Sequence, residues 1–366
     1  MKISVIIPTY NCGKFIESCL DSLLRQEEIL DFEIIIVDNH STDDTLNKVD
    51  FYVEKDNRIS VIRLDENLKQ GIARNIGVEN ARGDYIMFVD GDDKVSPFFI
   101  SHMYNKIVRD DADMTICRWA PFDNFTGKIN YKHGYANFHR LPEKYLTESF
   151  TWQDIKEEVF SQSNVPWDKI YKKSFLIDKE VKFPGGMFFE DNVFSFDAIM
   201  KAEKITVLDE CLIYYRVNRK QAVTARCDKT FFDYLKIFES IKQNLVKQGT
   251  WDEMKYNFIN YKVRSLFWWW KKIDFRYKKE FFQMIKKDYI EMYNTELGTL
   301  KDKRGIWTKT FHLVNRVLDN GFWKYMFYLY WDRIFRIEYG VDNHMTMLLS
   351  NYSKWYSNYD GKKLNL

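Results

Sequence analysis

The first ninety residues alternate between two textures, and that alternation restricts the fold more than any other feature of the chain. Residues 3–7 (ISVII) and 33–37 (EIIIV) are short, apolar and β-branched, whereas Phe15, Ile16, Cys19, Leu20, Leu23 and Leu24 between them recur at helical spacing. β-Branched side chains favour strands and a 3.6-residue apolar period favours a helix, so the order is strand, helix, strand. Two further apolar runs, residues 59–64 and 85–89, flank residues 71–81, where Ile72, Ile76, Val78 and Ala81 predict a second helix. Repeated alternation with short connections predicts an α/β fold, a Rossmann-like, doubly wound and mostly parallel sheet. Such sheets bind ligands beyond the carboxyl ends of their strands, which would gather residues 8–11 (PTYN), 38–41 (DNHS) and 90–93 (DGDD) along one edge.

From about residue 230 the texture changes to long helix-compatible segments rich in Phe, Trp and Tyr, such as 231–247 and 258–272. The expected division is therefore a catalytic domain over 1–228 and a mainly α-helical domain over 229–366, the latter for acceptor binding or oligomerisation. The net charge of +2 hides an asymmetry, about −7 over residues 1–229 and +9 over 230–366. A basic, aromatic tail has two readings. It is a solvated face of a packed helical domain, or it meets a polyanionic acceptor or an anionic membrane surface as a peripheral contact. Aromatic residues all around a helix favour the packed reading or an interface in a homo-oligomer. Five scattered cysteines argue against a disulfide framework and for a reducing, cytoplasmic setting. No apolar stretch approaches the length of a membrane-spanning helix, and the apolar N-terminus reads as a buried first strand. The six histidines lack metal-ligand spacing, and nothing points to a nucleic acid partner.

Chemistry concentrates where the fourth apolar run ends in Asp90-Gly91-Asp92-Asp93. Close carboxylates repel one another and call for a cation, and oxygen ligands of this kind suit Mg²⁺ or Mn²⁺ shared with substrate phosphates. Gly91 would let the backbone approach a ligand. This cluster does not stand alone. Pro8-Thr9-Tyr10-Asn11, Asp38-Asn39-His40-Ser41, Asn67 with Gly71-Ile72-Ala73-Arg74-Asn75, Gly83-Asp84-Tyr85 and then the acidic cluster resemble, in order and spacing, the family 2 glycosyltransferases. The resemblance is dense over residues 1–110 and thinner to about 225.

That resemblance implies the GT-A fold and an inverting, metal-assisted transfer of a sugar from a UDP-sugar donor. The acceptor would be a hydroxyl of a bacterial glycan or lipid-linked glycan. Residue by residue, it implies that Pro8 and Tyr10 line the nucleotide base, that Asp38 meets the uracil and that Asn67 contacts uracil or ribose. Arg74 is expected beside the donor diphosphate, Asp90 at ribose or metal, and Asp92 on the metal. Asn39 stands where the family usually has a second aspartate. In Phe188-Phe189-Glu190-Asp191-Asn192 the resemblance makes Asp191 the general base, with Glu190 orienting it or binding the acceptor. Arg219, with Arg216 or Lys220, belongs to a loop that in relatives closes over the donor. Trp167, in a tryptophan–lysine segment, would stack on a sugar or fill core.

Two other classes remain in view at this level. A sugar nucleotidyltransferase also pairs a related sheet with acidic metal ligands, and would release pyrophosphate rather than a nucleoside diphosphate. A non-catalytic carbohydrate-binding scaffold would keep the fold but leave donor hydrolysis undetectable. A dehydrogenase or NTPase is disfavoured, because neither GxGxxG after a strand nor GxxxxGK[ST] occurs.

Overall fold

A computed structural model describes residues 2–28, 31–131, 137–218, 226–297, 308–322 and 324–326. The initial alternation becomes β1 (Ile3–Thr9), α1 (Ile16–Leu24), β2 (Phe32–Asp38), α2 (Thr45–Lys55), β3 (Ile59–Arg63), α3 (Lys69–Asn80) and β4 (Tyr85–Phe88). Next come β5 (Lys94–Val95), α4 (Phe99–Asp110), β6 (Met114–Asp123), β7 (Lys169–Lys172), α5 (Lys173–Asp178), α6 (Asp191–Lys201) and β8 (Ile205–Val217). The later helices are α7 (Asp233–Lys247), α8 (Trp251–Lys272), α9 (Phe275–Met292) and α10 (Thr308–Asp319).

The strands form one eight-stranded sheet in the order β3-β2-β1-β4-β7-β6-β8-β5. Its first half is parallel, with Pro8 opposite Val37, Thr9 opposite Asp38, and Val5 opposite Met87. β1 and β2 are buried along almost their whole length, which is why they read as unbroken apolar runs rather than alternating ones. The second half keeps one long parallel pair, β6 with β8, but is not parallel throughout. β7 pairs antiparallel with both β4 and β6, and β5 pairs antiparallel with β8, so the sheet is mixed. Antiparallel neighbours need no crossover helix, and the alternating signal that announces parallel strands is therefore missing there.

Helix α3 lies unusually close to β1. A Cβ on Gly77 would fall 2.3 Å from Ile6 Cγ2, so only glycine permits that approach. The closeness matters because α3 carries Arg74 and starts beside the ends of β1 and β2.

The chain divides into two compact units, residues 1–277 and 278–366. The change of texture near 229 follows the end of the last strand at Val217, while the first unit continues through α7 and α8 to Tyr277. These helices join it through aromatic packing: Phe238 meets Phe258 and Tyr261, and Tyr261 stacks on Phe160 at 5.4 Å. Within the second unit Phe282 packs against Phe322 and Tyr325. Among the described residues no helix is long and apolar enough to cross a membrane. All five cysteines are free thiols.

Candidate active site

The loops that leave β1 and β2 are tied together by short polar side chains. Asp38 is 1% exposed, and its carboxylate accepts hydrogen bonds from Thr9 Oγ1 at 3.0 Å, from Ser41 N at 2.9 Å and from Ser41 Oγ at 2.5 Å. Ser41 Oγ in turn accepts from Asn11 N, and Asn11 Oδ1 accepts from Thr42 N. Asp38, which the resemblance set against uracil, thus braces the wall from behind and is not among the residues that line the cavity. Asn39 takes the forward position. Its Nδ2 donates to Asn67 Oδ1 at 3.1 Å, and its Oδ1 accepts from Leu68 N at 2.8 Å. Asn67 Oδ1 also accepts from Lys69 N, and so supports a left-handed backbone at Lys69 (φ 67°) that costs a non-glycine residue on the order of 1 kcal/mol.

Beyond β4 the acidic loop is fixed from two sides. Arg216, on β8, donates its backbone N–H to Asp93 Oδ1 at 2.7 Å and its Nε–H to the Asp92 carbonyl at 2.6 Å. Its guanidinium lies over Phe15 and Phe122. Asp90, Asp92 and Asp93 offer carboxylate oxygens all within 4.8 Å of one another. That oxygen-only donor set fits a hard divalent cation such as Mg²⁺ or Mn²⁺, with Asp92 and Asp90 forward and Asp93 anchored to the backbone of β8. Gly91 also has a packing role. A Cβ there would sit 3.2 Å from Cys12 Sγ and 3.3 Å from Thr9 Cγ2, so it allows tight packing of the acidic loop on the first one.

Arg74 connects this loop to the distant acidic pair. It is 1% exposed; one terminal nitrogen donates to Asp90 Oδ1 at 2.8 Å and the other to Glu190 Oε1 at 2.9 Å. The sequence reading placed Arg74 beside a diphosphate. In the fold its charge is engaged by two carboxylates instead. Gly71, one turn earlier on α3, leaves room for that contact, since a Cβ there would meet Glu190 Cγ at 2.6 Å.

Glu190 is fully buried, while Asp191, at the start of α6, is half-buried and accepts from Asn192 N and Nδ2. Burial lifts both carboxyls above the usual range; Arg74 opposes the shift in both, Asp191 adds to it at Glu190, and Asp90 adds to it at Asp191. The backbone before them is also constrained. Phe189 has φ 64° and stacks on Tyr234 of α7 at 4.5 Å; Trp269 of α8 packs on both rings. Phe188 N donates to Asp233, and Tyr261 donates its hydroxyl to Asn192 Oδ1 at 2.9 Å.

Pro8, Tyr10, Asn67, Asp90, Gly91 and Asp92 line one cavity of about 620 Å³. Asn39, Cys12, Lys69, Phe188 and Arg226 line it too, and the sequence reading had given none of them a role in the site. The deviation at Asn39 was visible in the sequence, but its partner was not. Cys12 is held as a neutral thiol, pushed up to about 12 by burial and then by Asp92. Trp167 is core: it is 4% exposed, stacks on Tyr215 and meets Trp119 edge-on. Its neighbour Lys169 is buried against Asp168 and the Ser163 and Val165 carbonyls. Arg219 and Lys220 lie outside the described residues.

An acidic loop that lines a pocket at the ends of parallel strands, and is joined through Arg74 to the Glu190–Asp191 pair, is an arrangement suited to group transfer. The sequence profile "Glycosyl transferase family 2" matches residues 4–166. GlyG of Streptococcus pneumoniae, described as a glycosyltransferase, is 30% identical over 255 residues, spanning 68% of this chain and 81% of GlyG. EpsH of Bacillus subtilis, also described as a glycosyltransferase, is 30% identical over 65% of this chain and 67% of its own length. The chain belongs to the family 2 glycosyltransferases. Its fold matches Staphylococcus aureus TarS 1–349, solved in complex with UDP-GlcNAc, with a TM-score of 0.63 at 22% identity over 86% of this chain and 84% of that one. The GT-A fold implied by the sequence is therefore the fold present.

Proposed function

We propose that the chain transfers a sugar from a UDP-sugar to a hydroxyl of a bacterial surface glycan, with inversion at the anomeric carbon and Asp191 as general base. The observation that carries this reading is Arg74, whose two ion pairs bring the acidic loop and the Glu190–Asp191 pair into one site. A uridine donor is supported by the amides of Asn39 and Asn67 beside Pro8 and the ring of Tyr10, and by the UDP-GlcNAc complex of the structural relative. Asp92 and Asp90 would hold Mg²⁺ or Mn²⁺, which when bound offsets charge on the leaving diphosphate.

The residues divide the remaining work. Asp191 takes the acceptor's proton as the new glycosidic C–O bond forms and the bond to the diphosphate breaks. A carboxyl raised toward neutrality suits that task, because it is ionised at cellular pH yet basic enough to accept a proton. Glu190, shut away and paired with Arg74, cannot touch an acceptor; it fixes the arginine that links Asp191's loop to Asp90. Helices α7 and α8 hold the base loop from behind, and the helical C-terminal region is the proposed acceptor side. The test is a panel of UDP-sugars incubated with Mn²⁺, Mg²⁺ or chelator, with release of UDP measured. Metal-dependent UDP release is expected for one or a few donors; pyrophosphate as product, or no release from any donor, would remove the proposal.

A further inference from the structure

The sequence led to Arg74, Arg216, Arg219 and Lys220 as the cations that would meet phosphate. In the fold, Arg74 is engaged by Asp90 and Glu190, and Arg216 holds the Asp92–Asp93 backbone and Asn124. The cations that line the cavity among the described residues are Lys69 and Arg226, and both lie over the ring of Phe188, at 4.4 and 5.7 Å from its centre. Among the described residues neither is in an ion pair.

We infer that Lys69 and Arg226, mounted on Phe188, form the phosphoryl-binding subsite of this cavity. Lys69 is aimed by two constraints: its Nζ donates to Gly186 O at 2.8 Å, and its left-handed backbone is supported by Asn67. One of its three N–H donors is thereby used and two remain for a ligand. Arg226 presents a planar fork of donors that fits two phosphoryl oxygens at once. The ring of Phe188 fixes where both charges stand, because Phe188 N is itself held by Asp233. Asp90 and Asp92 line the same cavity, so an anion bound here would share it with the metal-competent loop. The phosphoryl group belongs either to the donor's diphosphate or to a phosphate carried by the acceptor. The inference rests on the proposed transfer only for the choice between those sources.

The test compares wild type with Lys69→Gln/Arg226→Gln, a pair that keeps a donor for Gly186 O while removing both charges. Binding of UDP, uridine, pyrophosphate and, to protein saturated with UDP and Mn²⁺, glycerol 3-phosphate is measured by calorimetry at low salt. If the donor is the source, affinity for UDP and pyrophosphate falls at least about tenfold and uridine is unchanged. If the acceptor is the source, UDP binding persists and glycerol 3-phosphate binding is lost. The charge-conserving pair Lys69→Arg/Arg226→Lys should recover most of the affinity. Equal binding of all four probes by the neutral variant and wild type overturns the subsite, as does an equal loss for uridine. Wild type that binds pyrophosphate through these residues but not UDP would leave the subsite standing and remove the uridine reading.

Discussion

The donor wall of the cavity and the base wall, the Phe188–Asp191 loop that reaches the cavity through Phe188, are built by different means. The donor wall, from the loops after β1 and β2 and the start of α3, is held by directional bonds between short polar side chains: Asp38 to Thr9 and Ser41, Asn11 to the 41–43 loop, Asn39 to Asn67. The base wall is held by aromatic packing. Phe183 stacks on Phe194 at 3.8 Å, and Phe189 is clasped by Tyr234 and Trp269. The polar bonds join neighbouring strand-end loops 28 to 31 residues apart, whereas the clasp on Phe189 draws on Tyr234 and Trp269 from the later helices. Binding and chemistry should therefore separate: damage to the first wall should appear in donor affinity, damage to the second in turnover and stability.

The sharpest separation is expected for Asp191→Asn. Removing a general base costs about 10²–10⁴-fold in rate, so turnover should fall by about 10³, while UDP affinity stays within about twofold of wild type. Transfer at the wild-type rate would take the base away from this residue. Arg74→Gln tests the bridge between the walls. It leaves Glu190 buried without its counter-ion, a loss of about 3–5 kcal/mol of stability when a buried pair is broken. Thermal unfolding should show it as the largest drop among these variants. An unchanged melting temperature would mean that Glu190 is simply protonated in the fold.

The unequal legibility of the two walls follows from the same contrast. Donor-wall residues lie in contiguous motifs at strand ends, so Pro8, Tyr10, Asn67, Asp90 and Asp92 could be placed from the sequence and all line the cavity. Arg74 stands 16 residues from Asp90 and 116 from Glu190, and no local pattern announces a bridge of that reach. Lys69 was hidden because its helix was read as beginning at residue 71. Trp167 could not be assigned from sequence because a ring that stacks on sugar and one that stacks on Tyr215 have the same letter. The antiparallel entry of β7 was likewise unreadable, being four residues long and preceded by irregular chain.

Trp269→Ala sharpens the role of packing. Truncating an aromatic that contacts Phe189, Tyr234 and Phe231 should cost about 3 kcal/mol in stability, and any loss of turnover should exceed the loss of donor affinity. A matching fall in both would show that the base wall also shapes the donor site. pH offers a milder probe of the same wall. Burial raises the Asp191 carboxyl to about 6, and the base works only when ionised. Transfer should therefore rise with pH through about 6 and level off above it, lying roughly tenfold lower at pH 5 than on the plateau, while UDP binding stays flatter over that window. A rate independent of pH between 5 and 7 would contradict the assignment.

The smallest effect is expected on the donor wall, at the position where this chain departs from its family. Asn39 does two things at once: its amide nitrogen donates to Asn67 Oδ1, and its carbonyl oxygen accepts from Leu68 N. Asn39→Ala removes both and should weaken UDP binding about fivefold, equivalent to a net loss of roughly 1 kcal/mol, with turnover at saturating donor nearly unchanged. Asn39→Asp restores the residue usual in the family and is the more informative change. The new carboxylate still accepts from Leu68 N but faces Asn67 Oδ1 with no proton to give. Asn67 cannot simply rotate its amide to meet it, because that same oxygen accepts from Lys69 N. Asn39→Asp should therefore bind UDP more weakly than wild type despite its family resemblance, and paired with Asn67→Ala it should lose no more than Asn67→Ala alone. Tighter UDP binding by Asn39→Asp would show that the uridine pocket is organised by charge at this position and that the Asn39–Asn67 bond is incidental.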